Sequence, residues 1–313
     1  MRLTGVSPES GGTGLTVQTA LANPSTRPGL RLPGRVNLIA GSVDVPVLHV
    51  RLGLVSTVEP DDPEAPRRLV QFHHAQVAGA LVLRAGRARS IPFEFPIPWE
   101  TPVTTLGGVP LLSLRMGLRT EVAIDTTLDQ GAMVPVFVHP LPTQQHILAA
   151  LDTLGFNVRQ SGLLDGRLPG VEQALPLHQR WGFWVGPLYA GPITELEVIF
   201  VANSAGLEVI LWCDRRLALA GITHTSISRF RIWHADADQR DWVSTVDAWL
   251  RETINRHAAA AAHADWSASI TESAHVSRPP VRPPPSSPRP GGDAGGAGVG
   301  GGEGGGGGGG GGI

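Results

Sequence analysis

His234, Asp236, Asp238 and Asp241 stand within eight residues of one another in "HADADQRD". Imidazole and carboxylate at that density raise a divalent-metal site, because such an ion needs several oxygen or nitrogen ligands close together. The run lacks the glycine and the distal glutamate of an EF-hand loop. A carboxylate at Asp238 or Asp241 has another use, capping and charging the N-terminus of a helix that starts near Trp242. Capping is the expectation, and no metal site is assigned.

The other reactive residue types are as poorly placed for chemistry. His73 and His74 are adjacent, so on a strand they point to opposite faces and cannot chelate together. His139, His146 and His178 have no ligand spacing. Cys213 alternates with Leu211, Val209 and Leu207, which puts the thiol on the buried face of a strand, where thiols are inert. No serine sits in a G-x-S-x-G elbow, and "GGTG" and "LGGVP" lack the Lys-Ser/Thr of a phosphate loop. Asp125 and Asp129 flank a strand end and read as a turn rather than a carboxylate pair. Arg51, Arg115, Arg119 and Asp214 fall on expected wet faces. The expectation is no catalytic residue, no cofactor and no metal.

Composition narrows the partners. The 313 residues carry 25 basic and 27 acidic side chains, a formal charge of −2, and every base is arginine. That balance favours neither nucleic acid nor an anionic membrane. A lone cysteine excludes an internal disulfide and fits a reduced cytoplasmic setting. No signal-like apolar run opens the chain, and no apolar stretch reaches the roughly 18 residues of a membrane span.

Period-two patterning dominates the chain that must hold these residues. Leu48, Val50, Leu52 and Leu54 share one expected face, as do Leu112, Leu114, Met116, Leu118, Val122 and Ile124. "ELEVIFVANSAGLEVILWCDRR" reads as a hairpin turning at "NSAG". In "IPFEFPIP", Pro92, Pro96 and Pro98 oppose Ile91, Phe93, Phe95 and Ile97, the pattern of an edge strand guarded against aggregation. Two helices break the β pattern. One has Thr143 as N-cap, Ile147, Leu148, Leu151 and Leu154 on one side, and Gly155 at its end. The other carries Trp242, Val243, Val246, Trp249, Leu250 and Ile254 and is expected to dock on the protein itself. From Ser277 the chain is proline- and then glycine-rich, read as a disordered tail.

The phrases "IPFEFPIPWETPVT" and "GLRTEVAIDTTLDQGAMVPVFVHPLPTQQHILAALDTLGF" resemble the bacterial sporulation-control (SpoOM-type) family, whose fold is arrestin-like. "VQTALANPSTRPGLRLPGRVNLIAGSVDVPVLHVRLGLVSTVE" and "LEVIFVANSAGLEVILWCDRR" extend the resemblance over roughly Leu15 to Arg216, and "HADADQRDWVSTVDAWLRE" resembles its closing helix. This chain departs from the pattern in its first residues and at Arg180 and Trp181, where an acidic phrase would stand. The resemblance implies a mainly β protein of two arrestin-like antiparallel β-sandwich domains, with a short helix near the domain junction and a C-terminal amphipathic helix. The expected divisions are a flexible 1–13, sandwiches over 14–128 and 129–235, a packing helix at 236–258 and the tail at 259–313. It also implies a non-catalytic adaptor that regulates a developmental or cell-cycle process by binding other proteins. Homo-oligomerisation through edge strands is compatible with that role. The alternative is a β-sandwich ligand-binding or carbohydrate-active protein, for which Trp212 is the one obvious strand aromatic.

Overall fold

The computed structural model describes residues 14–259 except 61–63, 125–126, 192, 218–221 and 257, without side-chain detail at 127–130, 214–217 and 222–225. The N-terminal segment 1–13, Asp125 and the Pro/Gly-rich tail lie outside the described residues. Eight strands of three or more described residues come first, besides shorter two-residue pairs: β1 (Leu15–Leu21), β2 (Arg31–Ala40), β3 (Val45–Val58), β4 (Arg68–Ala78), β5 (Leu81–Leu83), β6 (Ala88–Pro96), β7 (Met116–Ile124) and β8 (Thr127–Gln130). Helix α1 (Pro142–Thr153) is followed by β9 (Asn157–Asp165), β10 (Leu177–Trp184), β11 (Glu195–Ala202), β12 (Gly206–Leu217) and β13 (Ile222–Trp233). A 3-10 turn at His234–Gln239 leads into α2, residues 242–256.

The first half is a sandwich of antiparallel sheets. One sheet has the order β1-β2-β6, and the other has the order β8-β7-β3-β4 with β5 beside β3. Their inner faces share one core, in which Leu32, Val36, Leu38 and Phe95 join Leu52, Leu54, Leu118 and Val122, all essentially inaccessible to solvent. Alternation is what makes this possible, since every second residue of a strand faces the same way.

Two expected alternations slip at their ends. Ile124 pairs with Val47 while Ala123 pairs with His49, so Leu48 is the extra residue of a bulge and points outward at 49 % exposure. The bulge hands the buried face to Val45 and Val47. Leu112 lies ahead of β7, which begins at Met116, and is almost wholly exposed.

The guarded edge forms as expected. In β6, Ile91, Phe93 and Phe95 are buried while Pro92 and Pro96 are exposed. The Ile97 N–H donates to Leu30 O, so two-residue alternation turns the nitrogens of Pro92 and Pro96 away from β2, where no donor is needed.

The second half keeps the antiparallel, mainly β character, but among the described residues it forms one sheet layer rather than two. A single five-stranded sheet, β9-β10-β11-β12-β13, presents one face to helices. Trp181, Phe183, Leu196, Val198, Val209, Leu211 and Cys213 meet Ile147 and Leu151 of α1 and Val246, Leu250 and Ile254 of α2 in a second core. The opposite face, with Ile199, Val201 and Ile210, is covered by Leu168 and Val171 of the 166–176 loop. The physical reason for the difference is the pair of amphipathic helices, which supply the apolar layer that a second sheet would otherwise provide.

Helix α1 also starts differently from the expectation. Pro142 occupies its first turn, Leu141 is the N-cap position, and Gln144 Oε1 accepts the Leu141 N–H at 2.9 Å. Thr143 is therefore inside the helix, buried, 3.4 Å from His234 Nδ1. Proline fits a first helical position because its missing N–H had no intrahelical partner there. At the other end Gly155 has φ +87° and donates to Asp152 O, while the Phe156 N–H returns to Leu151 O. That is a Schellman closure, and it needs a residue without a side chain. Within α2, Val243 turns outward instead of joining the stripe, and Thr253 is buried in its place.

Candidate functional site

The halves meet along the segment Trp99–Thr105, whose backbone has left one sandwich edge and runs against the five-stranded sheet. Gln179, buried on β10, grips it from the far side. Gln179 Oε1 accepts the Val103 N–H and its Nε2 donates to Val103 O, each at 2.8 Å, with a further bond to Ser161 Oγ at 2.9 Å. A side-chain amide thereby stands in for a β-strand and leaves no buried backbone group of Val103 unpaired. Glu100 mirrors the grip, its two carboxylate oxygens accepting the N–H groups of Ala174 and Leu175 at 2.7 and 2.8 Å. Thr104 Oγ1 accepts the Val138 N–H, and the Thr104 N–H donates to Val138 O, both at 2.8 Å. Trp99 stacks on His234 with ring centroids 5.5 Å apart.

A second set of ties flanks this clamp. Glu59, just past β3, donates its N–H to Leu163 O on β9 at 2.7 Å and pairs its carboxylate with Arg67. Gly162 sits opposite that carboxylate, and a Cβ there would lie 2.3 Å from Glu59 Oε2. Arg68 pairs with Asp165. Leu163, Leu175 and Leu177 cross over to pack in the first core. The two halves form one compact unit.

The residues singled out for chemistry turn out to be occupied with structure. Asp241 is the N-cap of α2: Oδ1 accepts the Ser244 N–H at 3.1 Å and Oδ2 the Ser244 hydroxyl at 2.6 Å, which holds the carboxyl below its usual range. His234 bonds Asn203 O through Nε2 at 3.0 Å, and Asp236 pairs with Arg240. No group of three or more metal-ligating side chains occurs among the described residues. Cys213 is fully buried, and burial pushes its thiol up to about 12. His139 meets Thr105 Oγ1, His146 stacks on Trp242, and His178 Nδ1 meets Gly166 O. Arg51 and Arg115 are exposed and Arg119 half-buried; the side chains of Asp129 and Asp214 lie outside the described detail. Trp212 packs against the buried cluster of Ile199, Val201 and Ile210, and the exposed tryptophans on described strands are Trp184 and Trp233.

His73 is held against the edge strand β6. Its ring meets Phe95 edge-on at 5.4 Å and bonds the Pro96 carbonyl, while Nε2 is buried without a partner. Burial, with His74 beside it, lowers its pKa from the usual 6.5, and burial lowers that of His178 as well. A folded pKa below the unfolded one means the unfolded chain binds the proton first. Stability from this source is complete above about pH 6.5 and is lost as pH falls below it. The slope of stability against pH between 7 and 5, from urea titrations, should be smaller in His73→Gln. An unchanged slope would place the proton uptake elsewhere.

Against known proteins, the model for the family described as SpoOM protein matches residues 8–217, about two thirds of the chain. The chain belongs to the SpoOM family. A curated relative, "Sporulation-control protein spo0M" of Bacillus subtilis (strain 168), is 28% identical over 203 residues, spanning 64% of this chain and 75% of its own. The crystal structure of Spo0M from Bacillus subtilis superposes with a TM-score of 0.65 at 22% identity, covering 78% of this chain and 99% of that one. Trp99–Thr105 and Gln179 both lie within the residues that the SpoOM model matches.

The clamp residues were the ones sequence reasoning passed over. "PWETP" carried a signal, a tryptophan and a glutamate held between prolines, because a polar side chain in so stiff an apolar stretch needs a partner. Gln179 carried none, since nothing in "LPLHQRW" marks a glutamine as buried. Trp181, one of the departures from the family pattern, is a core residue, and Arg180 pairs with Glu197 at 3.4 Å. Removing the grip in Gln179→Ala leaves both Val103 backbone groups buried without partners. The expected cost is about 2–4 kcal/mol in urea denaturation, the penalty for stranding two such groups.

Proposed function

We propose that this SpoOM-family chain is a non-catalytic regulator of sporulation or a related developmental process, acting as an adaptor that binds other proteins. Family membership over residues 8–217 carries the reading, with the curated relative's description as a sporulation-control protein giving the process. The occupied state of the reactive side chains supports the absence of turnover: the Cys213 thiol is sealed, Asp241 caps a helix and His234 is bonded to backbone. No described helix is long and apolar enough to cross a membrane, and the single free thiol accords with a cytoplasmic setting. The test is crosslinking in the native host followed by partner identification, alongside complementation of a spo0M deletion in Bacillus subtilis. Specific protein partners and restored sporulation are expected. A purified protein with hydrolase activity abolished by one point substitution would overturn the reading.

Ligand binding is kept as a second reading for one observation. Trp233, half exposed, lines an open cleft of about 410 Å³ with Glu100, Glu172, Glu208 and Arg231. An aromatic face among carboxylates suits stacking and hydrogen bonding to a sugar. A glycan array without hits would remove it.

A further inference from the structure

Strand β13, twelve residues long, is the longest edge strand among the described residues. The His234 N–H donates to Ala205 O and continues the β12–β13 ladder, in which Leu207 opposes Ile232. Bonded pairs alternate along an antiparallel ladder. The even-numbered residues of β13 therefore bond inward to β12, and the odd-numbered ones turn their N–H and C=O groups outward. Among the described residues no hydrogen bond reaches the outward backbone groups of Ile227, Arg229 or Arg231. Ser228 lies on the face beneath α2, where Arg256 bonds its hydroxyl, whereas Ile227 on the opposite face is 47 % exposed.

Among the described residues the other edges of the three larger sheets are shorter or interrupted. β6 has Pro92 and Pro96, β4 breaks register twice against β3, β9 breaks register between Val158 and Gln160, and β8 is only four residues long. β1 is seven residues long. β13 runs twelve residues, "ITHTSISRFRIW", with no proline, no glycine and no shift of register. Such an edge is a template for another strand.

We propose that β13 pairs antiparallel with β13 of a second copy of this chain, across a two-fold axis at Ile227, joining the two five-stranded sheets. Charge and shape select the occupant and the register. A register that brings Arg229 opposite Arg229, or Arg229 opposite Arg231, sets like charges face to face, which is destabilising. Ile227 opposite Ile227 avoids this: Ser226 then faces Ser228, Arg229 faces Thr225 and Arg231 faces Thr223. The half-exposed isoleucine is covered by its own copy, as a self-complementary two-fold interface requires. The helix layer over this edge presents both signs, because Arg256 bonds Ser228 Oγ and pairs with Glu252.

The chain's one native cysteine makes the test clean, since Cys213 is fully buried. In full-length Ile227→Cys the two introduced thiols would face each other across a bonded antiparallel pair, with Cα atoms about 5.5 Å apart, within disulfide range. Mild oxidation should convert it to a covalent dimer. Arg231→Cys places its copies about 27 Å apart and should stay monomeric on the gel. By light scattering the parent protein should show twice the monomer mass, and Ile227→Lys should restore the monomer with its thermal transition retained. A parent that is monomeric at every concentration overturns the proposal. So does a dimer that survives Ile227→Lys, or one in which the two cysteine variants crosslink equally.

Discussion

A chain ended after Arg240 is expected to lose most of the stability of its second half. Residues 242–256 contribute Trp242, Val246, Leu250 and Ile254 to the core beneath the five-stranded sheet, each no more than 8 % exposed. At about 1.5–3 kcal/mol for each large apolar side chain buried, their removal is worth about 6–12 kcal/mol. That is the size of a whole domain's net stability, about 5–15 kcal/mol. Polar ties go with them. Tyr189 loses Asp247, the acceptor of its hydroxyl, and Phe230 loses the stacked ring of Trp249 at 4.8 Å. Burial and that carboxylate push the Tyr189 phenol up to about 12. Thermal unfolding of the truncated chain should show a transition lowered by tens of degrees or no cooperative transition, with aggregation on heating. A melting curve matching the full chain would mean that α2 is dispensable to the fold.

Leu118→Ala should cost about 2–5 kcal/mol, and Arg119→Ala no more than about 0.5 kcal/mol. The two residues are neighbours in β7, so chain position and strand propensity are nearly matched. Leu118 is wholly inaccessible between the sheets, paired with Leu54 and facing the Val36 and Phe95 side of the core. Truncation there leaves a cavity that close-packed neighbours cannot fill. Arg119 lies on the other face, half-buried. Urea midpoints at constant slope separate the two, and equal shifts would contradict the placement of β7 between the sheets.

The strands were legible because one buried face imposes a period of two, and that period survives in the letters from Val50 to Leu54 and from Met116 to Ile124. It failed where the backbone itself is irregular. A bulge adds one residue without a compositional mark, so Leu48 was indistinguishable from Val50. Leu112 sits two residues ahead of Leu114 in the same rhythm although its chain has already turned. The N-cap at Thr143 looked right by residue type, but Pro142 outranks it, since proline can open a helix and threonine need not. The guarded edge, the buried Cys213 and the Asp241 cap were each readable from local rules. The Gln179 clamp was not, because its partners are 76 residues away and no local pattern encodes them.

That separation has a consequence for how the protein is made. Three leucines of the first core, Leu163, Leu175 and Leu177, belong to the second half. A growing chain that has released only its first 140 residues holds two sheets with an open flank, and its connector lacks Gln179 to bond Val103. The flank closes only after β10 has emerged, and the long loop joining the partners must be drawn shut at that moment, at an entropic cost that grows slowly with its length. The nascent N-terminal half thus stays adhesive throughout synthesis of the next 40 residues or so, about 2–8 s at ordinary elongation rates. The interval in which this protein most needs shielding ends only when a glutamine 76 residues beyond its valine has emerged.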